Sequence, residues 1–155
     1  MSVHPDVTPL EFLLGSWKGS GHGEYPTIES FDYFEEVSFV APPGKPFVVY
    51  TQKTRHADDD RPLHTETGYL RPVGDGTVEM TLAQPTGVVE IHVGTVSAGR
   101  LELTTHQVGL TPTAKEVTSV RRELAVDGDT LTYDLAMAAV GRPITHHLHA
   151  VLHRI

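Results

Sequence analysis

Histidines are concentrated near the end of the chain, where the stretch 145–154 reads THHLHAVLHR. If this stretch is a β-strand, alternate side chains share a face. Leu148 then faces the interior with its alternate neighbours, and the opposite face carries His147 and His149. Solvent-exposed histidines would explain this pattern without any function.

Two kinds of metal chemistry also fit these histidines. His147 and His149 could share a zinc ion with a third histidine, such as His92 or His106, leaving one position open for water. Alternatively, one histidine is the sole protein ligand of a haem iron, with the porphyrin filling the mouth of a barrel. Cysteine is absent, which excludes thiolate ligands, disulfides and covalent haem attachment through C-x-x-C-H.

A second unusual stretch lies near the start of the chain, where residues 14–28 read LGSWKGSGHGEYPTI. Alternation along a strand leaves one face bare at Gly19, Gly21 and Gly23, next to the single Trp17. Glycine inside a strand usually marks a bend or the close approach of a backbone or a ligand. The stretch therefore indicates either a strand that bends where a barrel closes or a planar ligand lying against it.

Composition limits the classes of function. With 20 acidic and 12 basic residues among 155, the formal charge is -8, so a nucleic acid or an anionic membrane is not an expected partner. No apolar stretch reaches the length of about 20 residues that a membrane span requires. We expect a cytoplasmic protein with one domain over residues 1–155, in which residues 1–8 are an N-terminal extension. Composition does not decide between a monomer and a homodimer.

The elements that would position these residues are mainly strands. A short helix is predicted after Thr8, with Thr8 as N-cap, Pro9 in the first turn, Glu11 closing a capping box and Gly15 ending it. Two turns of helix are enough to form a lid on a barrel.

Period-two patterns and turn signals predict about ten antiparallel strands. After the strand that begins at Gly15, the predicted strands cover residues 29–40, 47–54, 64–70, 77–83, 88–96, 100–106, 115–126, 130–140 and 145–154. Hairpins that follow one another remove their exposed edges most simply by closing, so we predict an all-β, ten-stranded antiparallel barrel.

The glycine stretch also resembles a known signature. Residues 15–28 are similar to the G-x-W-x-G-x-G-x-G-x-Y-P-T-I pattern of the nitrobindins, and the mycobacterial and actinobacterial members are the most similar. Further matches follow in register over nearly the whole chain, at residues 35–36, 44–47, 50–52, 63–71, 112–118 and 147–148.

This resemblance implies a barrel that holds one ferric haem b, binds nitric oxide and isomerises peroxynitrite to nitrate. It implies that His147 is the proximal iron ligand and that Lys115 contacts a haem propionate. It also implies that the turn Tyr25, Pro26, Thr27 and Ile28 lies near the haem, with Thr27 and Ile28 on the distal side. A non-catalytic carrier of haem or another apolar ligand, or a nitric oxide sensor, is the alternative function.

Strict alternation conflicts with this role, since it points His147 outward when Leu148 points inward. A β-bulge near the preceding turn, or a shallow site in the barrel mouth, would resolve the conflict. We favour a mouth site with an exposed haem edge. Barrel closure should then place the Tyr25 turn as a distal wall opposite His147.

Overall fold

Ten strands and one short helix make up the part of the chain that the computed structural model describes, residues 2–155. The helix is a 3-10 helix, Pro5–Leu13. The strands are β1 Gly15–Tyr25, β2 Ile28–Val40, β3 Val48–His56, β4 Pro62–Gly74, β5 Thr77–Ala83, β6 Val88–Ser97, β7 Arg100–Leu110, β8 Val117–Asp127, β9 Thr130–Ala139 and β10 Thr145–Arg154.

All the strands join in one closed antiparallel barrel. Each strand pairs with its neighbour in sequence, and β1 closes the barrel by pairing with β10 from Trp17 opposite Arg154 to Gly23 opposite Leu148. The barrel has no free edge strand, and the predicted ten-stranded architecture is confirmed.

The bare glycine face of β1 lies where the barrel closes. A Cβ atom on Gly19 would overlap the Val151 carbonyl oxygen and lie 2.7 Å from the Cα atom of Leu152. At Gly21 it would meet the Tyr33 ring and the His149 carbonyl oxygen, the latter at 2.8 Å. Neighbouring strands therefore make the close approach at these two glycines, as the barrel-closure interpretation predicted.

The helix begins earlier than predicted. His4 is the N-cap, and its Nδ1 accepts a hydrogen bond from the Asp6 amide at 3.1 Å. The predicted cap, Thr8, lies inside the helix, and Val7 is fully buried. Both Pro5 and Pro9 suit a first turn, and the earlier one begins the helix. Residues 5–8 are therefore part of the helix rather than an extension before it.

The helix closes one end of the barrel. Leu10 and Leu13 are fully buried in the same apolar core as Trp17. The indole Nε1 of Trp17 on β1 donates to the Leu13 carbonyl at 2.8 Å, and the Arg154 guanidinium on β10 donates to the Phe12 carbonyl at 3.1 Å. The helix is fixed to both strands at the closure, so the other end of the barrel is the one available to a ligand.

Some strands are longer than their alternation suggested. The strand β4 extends to Pro62–Gly74 and β7 to Arg100–Leu110, whereas β8 begins only at Val117. Lys115 therefore lies in the loop before β8. Within residues 2–155, no helix combines the length and the apolar character needed to cross a membrane.

Candidate functional site

A cavity of about 320 Å³ opens at the end of the barrel away from the helix. Its rim lies where the even-numbered strands begin, and the residues there include Phe31, His64, Val88, Val117 and His147. The volume falls within the range of small-molecule sites. Most of the other lining side chains are apolar, such as Leu63, Leu135, Met137, Leu148 and Leu152.

His147 reaches this cavity because β10 contains a bulge. His146 pairs with Ala136 and Leu148 pairs with Leu135, so His147 is an extra residue without a partner on β9. The bulge breaks the alternation, and both His147 and Leu148 line the cavity. Sequence alternation left a bulge and a shallow mouth site as two ways to resolve the conflict. The structure contains the bulge, so His147 and Leu148 both point inward.

The imidazole of His147 is held through one nitrogen. Its Nδ1 lies 2.8 Å from the backbone carbonyl oxygen of Glu24. A carbonyl oxygen only accepts, so Nδ1 carries the proton and Nε2 carries the lone pair. No hydrogen bond joins Nε2 to another group within residues 2–155. Burial is the main cause that lowers the pKa of His147, which favours the neutral, ligating form.

Tyr25 supports the same imidazole. The two rings meet edge to face, with centroids 5.5 Å apart. The Tyr25 hydroxyl donates to the Met137 carbonyl and accepts from the Ala139 amide, each at 3.0 Å. Tyr25 thus fixes β1 to β9 beside His147. The expectation that Tyr25 stands opposite His147 was wrong, because β1 and β10 are adjacent strands.

The other residues predicted for the site lie at or beyond the rim. Pro26, Thr27 and Ile28 are exposed at the turn between β1 and β2, and none of them lines the cavity. Lys115 is exposed in the loop before β8, two residues from the cavity-lining Val117. The structure therefore brings His147 and Tyr25 together and leaves these four residues around the mouth.

A second histidine, His64, lines the mouth on another wall. It lies on β4, which is separated from β10 by three strands in one direction around the barrel and by five in the other. Its Nε2 is 3.0 Å from a Glu66 oxygen, and the side chain is 31 % exposed. His64 and His147 are close enough that the charge of His64 contributes to lowering the His147 pKa.

A buried ion cluster lies deeper in the cavity. The Arg122 guanidinium bonds to Glu66 at 2.6 Å and to Glu90 at 3.1 Å. Burial works to raise the pKa of Glu66, but the Arg122 charge and the hydrogen bonds from His64 and Arg122 outweigh it and lower the pKa to about 2. Glu66 is therefore ionised at neutral pH.

A second buried carboxyl group, Glu35, lacks such a cation. It accepts from the Tyr133 hydroxyl at 2.7 Å and from the Gln52 amide at 2.9 Å. Burial raises the pKa of Glu35 to about 7 despite these hydrogen bonds.

The zinc hypothesis is wrong. His149 lies on the outer face and bonds to Asp134 at 2.9 Å, because the bulge separates it from the inward His147. His92 is fully buried against Glu90, and His106 is exposed on β7. Within residues 2–155, no group of three or more suitable side chains could hold a metal ion.

Sequence reasoning missed His64, Glu66 and Arg122 as site residues. The spacing of His64 and Glu66 offered a signal, since residues two apart share a strand face. No local sequence signal pointed to Arg122, because its partners Glu66 and Glu90 are 56 and 32 residues away in the chain. No sequence signal pointed to the Glu24 carbonyl either, since every residue type has a backbone carbonyl.

Residues 6–154 match the family model described as the THAP4-like, heme-binding beta-barrel domain. This chain belongs to that family, the nitrobindins. The resemblance seen in the glycine signature is thereby confirmed over nearly the whole chain.

Several relatives are similar over almost their full length. Peroxynitrite isomerase 2 of Mycobacterium avium is 54 % identical over 156 residues, which cover 98 % of this chain and 96 % of that protein. Peroxynitrite isomerase of Nocardia farcinica is 53 % identical, with 99 % and 94 % covered. The crystal structure of Rv2717c from M. tuberculosis has a TM-score of 0.95 at 52 % identity and covers 99 % of each chain.

The residues at the mouth fit a haem. A neutral imidazole whose Nδ1 is bonded to a carbonyl is the usual arrangement of a metal-ligating histidine. The walls around His147 are apolar, as a porphyrin requires, and the rim is open, so charged propionates can remain in water.

Proposed function

We propose that this protein is a haem-dependent peroxynitrite isomerase that also binds nitric oxide. The observation that carries the proposal is the state of His147. Its Nδ1 proton is bonded to the Glu24 carbonyl, and its Nε2 lone pair is unbonded within residues 2–155, on a side chain that lines the cavity. The names of the full-length relatives support the choice of reaction.

His147 would hold the iron of one ferric haem b per chain. Apolar side chains such as Leu63, Val117 and Met137 would contact the porphyrin. Lys115 is placed to reach a propionate, because it is exposed in the loop next to Val117. Thr27 and Ile28 would border the haem edge from the adjacent turn. Each of these contacts is part of the proposal.

The chain needs to supply little acid–base chemistry. Bound haem would supply Lewis acidity to peroxynitrite. Peroxynitrite and nitrate are isomers, so the net reaction consumes no proton and no electron. His147 would orient the cofactor, and the apolar walls of the cavity would exclude water around it.

The polar residues would keep the anion at the mouth. His64 lines the mouth, where its Nε2 donates a hydrogen bond to the ionised Glu66. Deeper in the cavity, the carboxylates of Glu66 and Glu90 would repel an anion that approaches them. Substrate and product would therefore exchange directly with solvent.

Stopped-flow decay of peroxynitrite tests the activity. We expect the decay rate to rise in proportion to added haem-loaded chain, with nitrate as the product by ion chromatography. His147→Ala should remove this acceleration, and His149→Ala, on the outer face, should keep it. A rate that haem-loaded protein leaves unchanged would overturn the isomerase proposal and leave a non-catalytic carrier or nitric oxide sensor. A cytoplasmic location remains a prediction from composition.

A further inference from the structure

Two tyrosine hydroxyls in the cavity wall bond to carboxyl groups. Tyr50 donates to Glu66 at 2.8 Å, and Tyr133 donates to Glu35 at 2.7 Å. Both tyrosines line the cavity. A small molecule in the cavity can therefore contact two tyrosines that differ in the carboxyl group to which each hydroxyl donates.

A third tyrosine, Tyr33, is bonded to Tyr133. The Tyr33 and Tyr133 hydroxyl oxygens are 2.7 Å apart. Because the single hydroxyl proton of Tyr133 goes to Glu35, Tyr33 is the donor between the two tyrosines. The chain of hydrogen bonds thus runs from Tyr33 to Tyr133 to Glu35, and the carboxylate is at its accepting end.

The two carboxyl groups differ in their capacity to accept a proton. Glu66 is bonded to Arg122 and His64, which keep it ionised and make it a weak base. Glu35 has no cation bonded to it within residues 2–155. Its hydrogen bonds come from the neutral donors Tyr133 and Gln52, and its pKa of about 7 makes it a much stronger base.

The surroundings of Glu35 include charged and titratable groups from several strands. Tyr33 lies on the same strand, Gln52 on β3, Glu66 on β4, Arg122 on β8 and Tyr133 on β9. Glu66 favours the protonated form of Glu35, whereas Arg122 and the two hydrogen-bond donors favour its ionised form. Burial and the nearby carboxylate raise the pKa of Tyr133, so its phenol stays protonated.

We propose that Tyr133 is a one-electron reductant for small radical oxidants that enter the cavity, and that Glu35 accepts its proton. In the step, nitrogen dioxide gains one electron and becomes nitrite. Tyr133 loses that electron, and its hydroxyl proton moves along the existing hydrogen bond to the Glu35 carboxylate. The products are nitrite, a neutral Tyr133 radical and protonated Glu35.

The hydrogen-bond geometry favours this step at Tyr133. An oxidised phenol is a strong acid, so its electron leaves readily only when a base takes the proton at the same time. Tyr133 has such a base within hydrogen-bond distance. The Tyr33 hydroxyl, which donates to the Tyr133 oxygen, would stabilise the resulting radical. Tyr50 lacks a comparable base.

The supply of nitrogen dioxide to the cavity rests on the proposed function, because nitrogen dioxide is a breakdown product of peroxynitrite. Tyr133 would intercept nitrogen dioxide that forms in the cavity before it reaches solvent. The same position would then be the preferred site of tyrosine nitration, by combination of the Tyr133 radical with a second nitrogen dioxide.

Pulse radiolysis of a nitrite solution tests the step directly, because it generates nitrogen dioxide without haem. It thus separates this proposal from the isomerase proposal. In the full-length chain without added haem, we expect a fast tyrosyl radical signal that Tyr133→Phe removes and Tyr50→Phe keeps. Glu35→Gln should slow the signal by about 100-fold, the lower range for a positioned proton acceptor.

Two further measurements guard against a folding artefact. Circular dichroism should show that Tyr133→Phe and Tyr50→Phe keep the barrel. In the unmodified chain, the rate should fall as the pH is lowered through 7, because Glu35 then becomes protonated. A fast signal that survives Tyr133→Phe, is lost equally in Tyr50→Phe, or is independent of both pH and Glu35→Gln would overturn the proposal.

Discussion

His147 and Glu24 are joined by a hydrogen bond of 2.8 Å between an imidazole Nδ1 and a backbone carbonyl oxygen. The two residues are 123 positions apart in the chain and meet because β10 pairs with β1 at the barrel closure. The bulge turns the imidazole inward, and the carbonyl fixes its tautomer. Barrel closure therefore fixes the tautomer and the direction of the histidine that we propose as the iron ligand.

The protonation state of His147 should control how haem binding depends on pH. Burial lowers the pKa of this imidazole, so the neutral form persists below the ordinary histidine value of about 6.5. We expect haem affinity to hold as the pH is lowered through the ordinary histidine value and to weaken only below it. A titration of the Soret band against pH at fixed haem measures this. A midpoint at or above the ordinary value would contradict the assigned tautomer and burial.

Glycine at position 19 should be required by the barrel closure. A side chain there would meet the backbone of β10, so Gly19→Ala should lower the free energy of unfolding by about 1–3 kcal/mol or more. Gly109→Ala is the matched control, since its Cβ would lie 3.8 Å from the Val89 Cβ, in ordinary contact. Urea denaturation compares the two variants. Equal stabilities would contradict the close approach at Gly19.

Removal of Arg122 should be costly because it leaves two buried carboxylates without their cation. We expect Arg122→Met to lower the free energy of unfolding by about 3–5 kcal/mol. Arg71→Met is the control, since Arg71 pairs with Glu79 on the exposed surface and such a pair contributes about 0–1 kcal/mol. Chemical denaturation at neutral pH measures both. A small effect at Arg122 would show that the cluster relaxes or hydrates.

Glu35 should make stability fall as the pH rises. Its folded pKa of about 7 lies above the unfolded value, so the folded state binds an extra proton between about pH 4.5 and 7. The stability from this group is complete below that window and is lost through it, on the order of 3 kcal/mol.

The variant Glu35→Gln, which does not titrate, isolates this contribution. Its free energy of unfolding relative to the unmodified chain should increase between pH 5 and pH 8. Urea denaturation across this range provides the comparison. A difference that does not change with pH would show that Glu35 keeps an ordinary pKa.

The strand order was predictable from the sequence because alternation and turn residues are local signals. The predicted bounds of β5 and β10 match the structure, and the glycine face of β1 indicated a close approach. The helix start was misplaced because two prolines compete for the first turn. In the structure the N-cap is His4, and the helix begins at the earlier proline, Pro5.

The candidate site was only partly predictable. His147 was found through the family signature, and its inward direction required a bulge that strict alternation did not give. Tyr25 was expected opposite His147 but lies beside it, because β1, which carries Tyr25, is paired with β10, which carries His147. The cluster around Arg122 depends on contacts between distant strands, which no local pattern encodes.

The role of His147 is tested most directly by adding hemin to the purified chain and recording the Soret band. We predict a band that is present in the unmodified chain, absent in His147→Ala and retained in His149→Ala, because His147 lines the cavity and His149 lies on the outer face. A full band in His147→Ala, or its loss in His149→Ala alone, would contradict the assignment of His147 as the iron ligand.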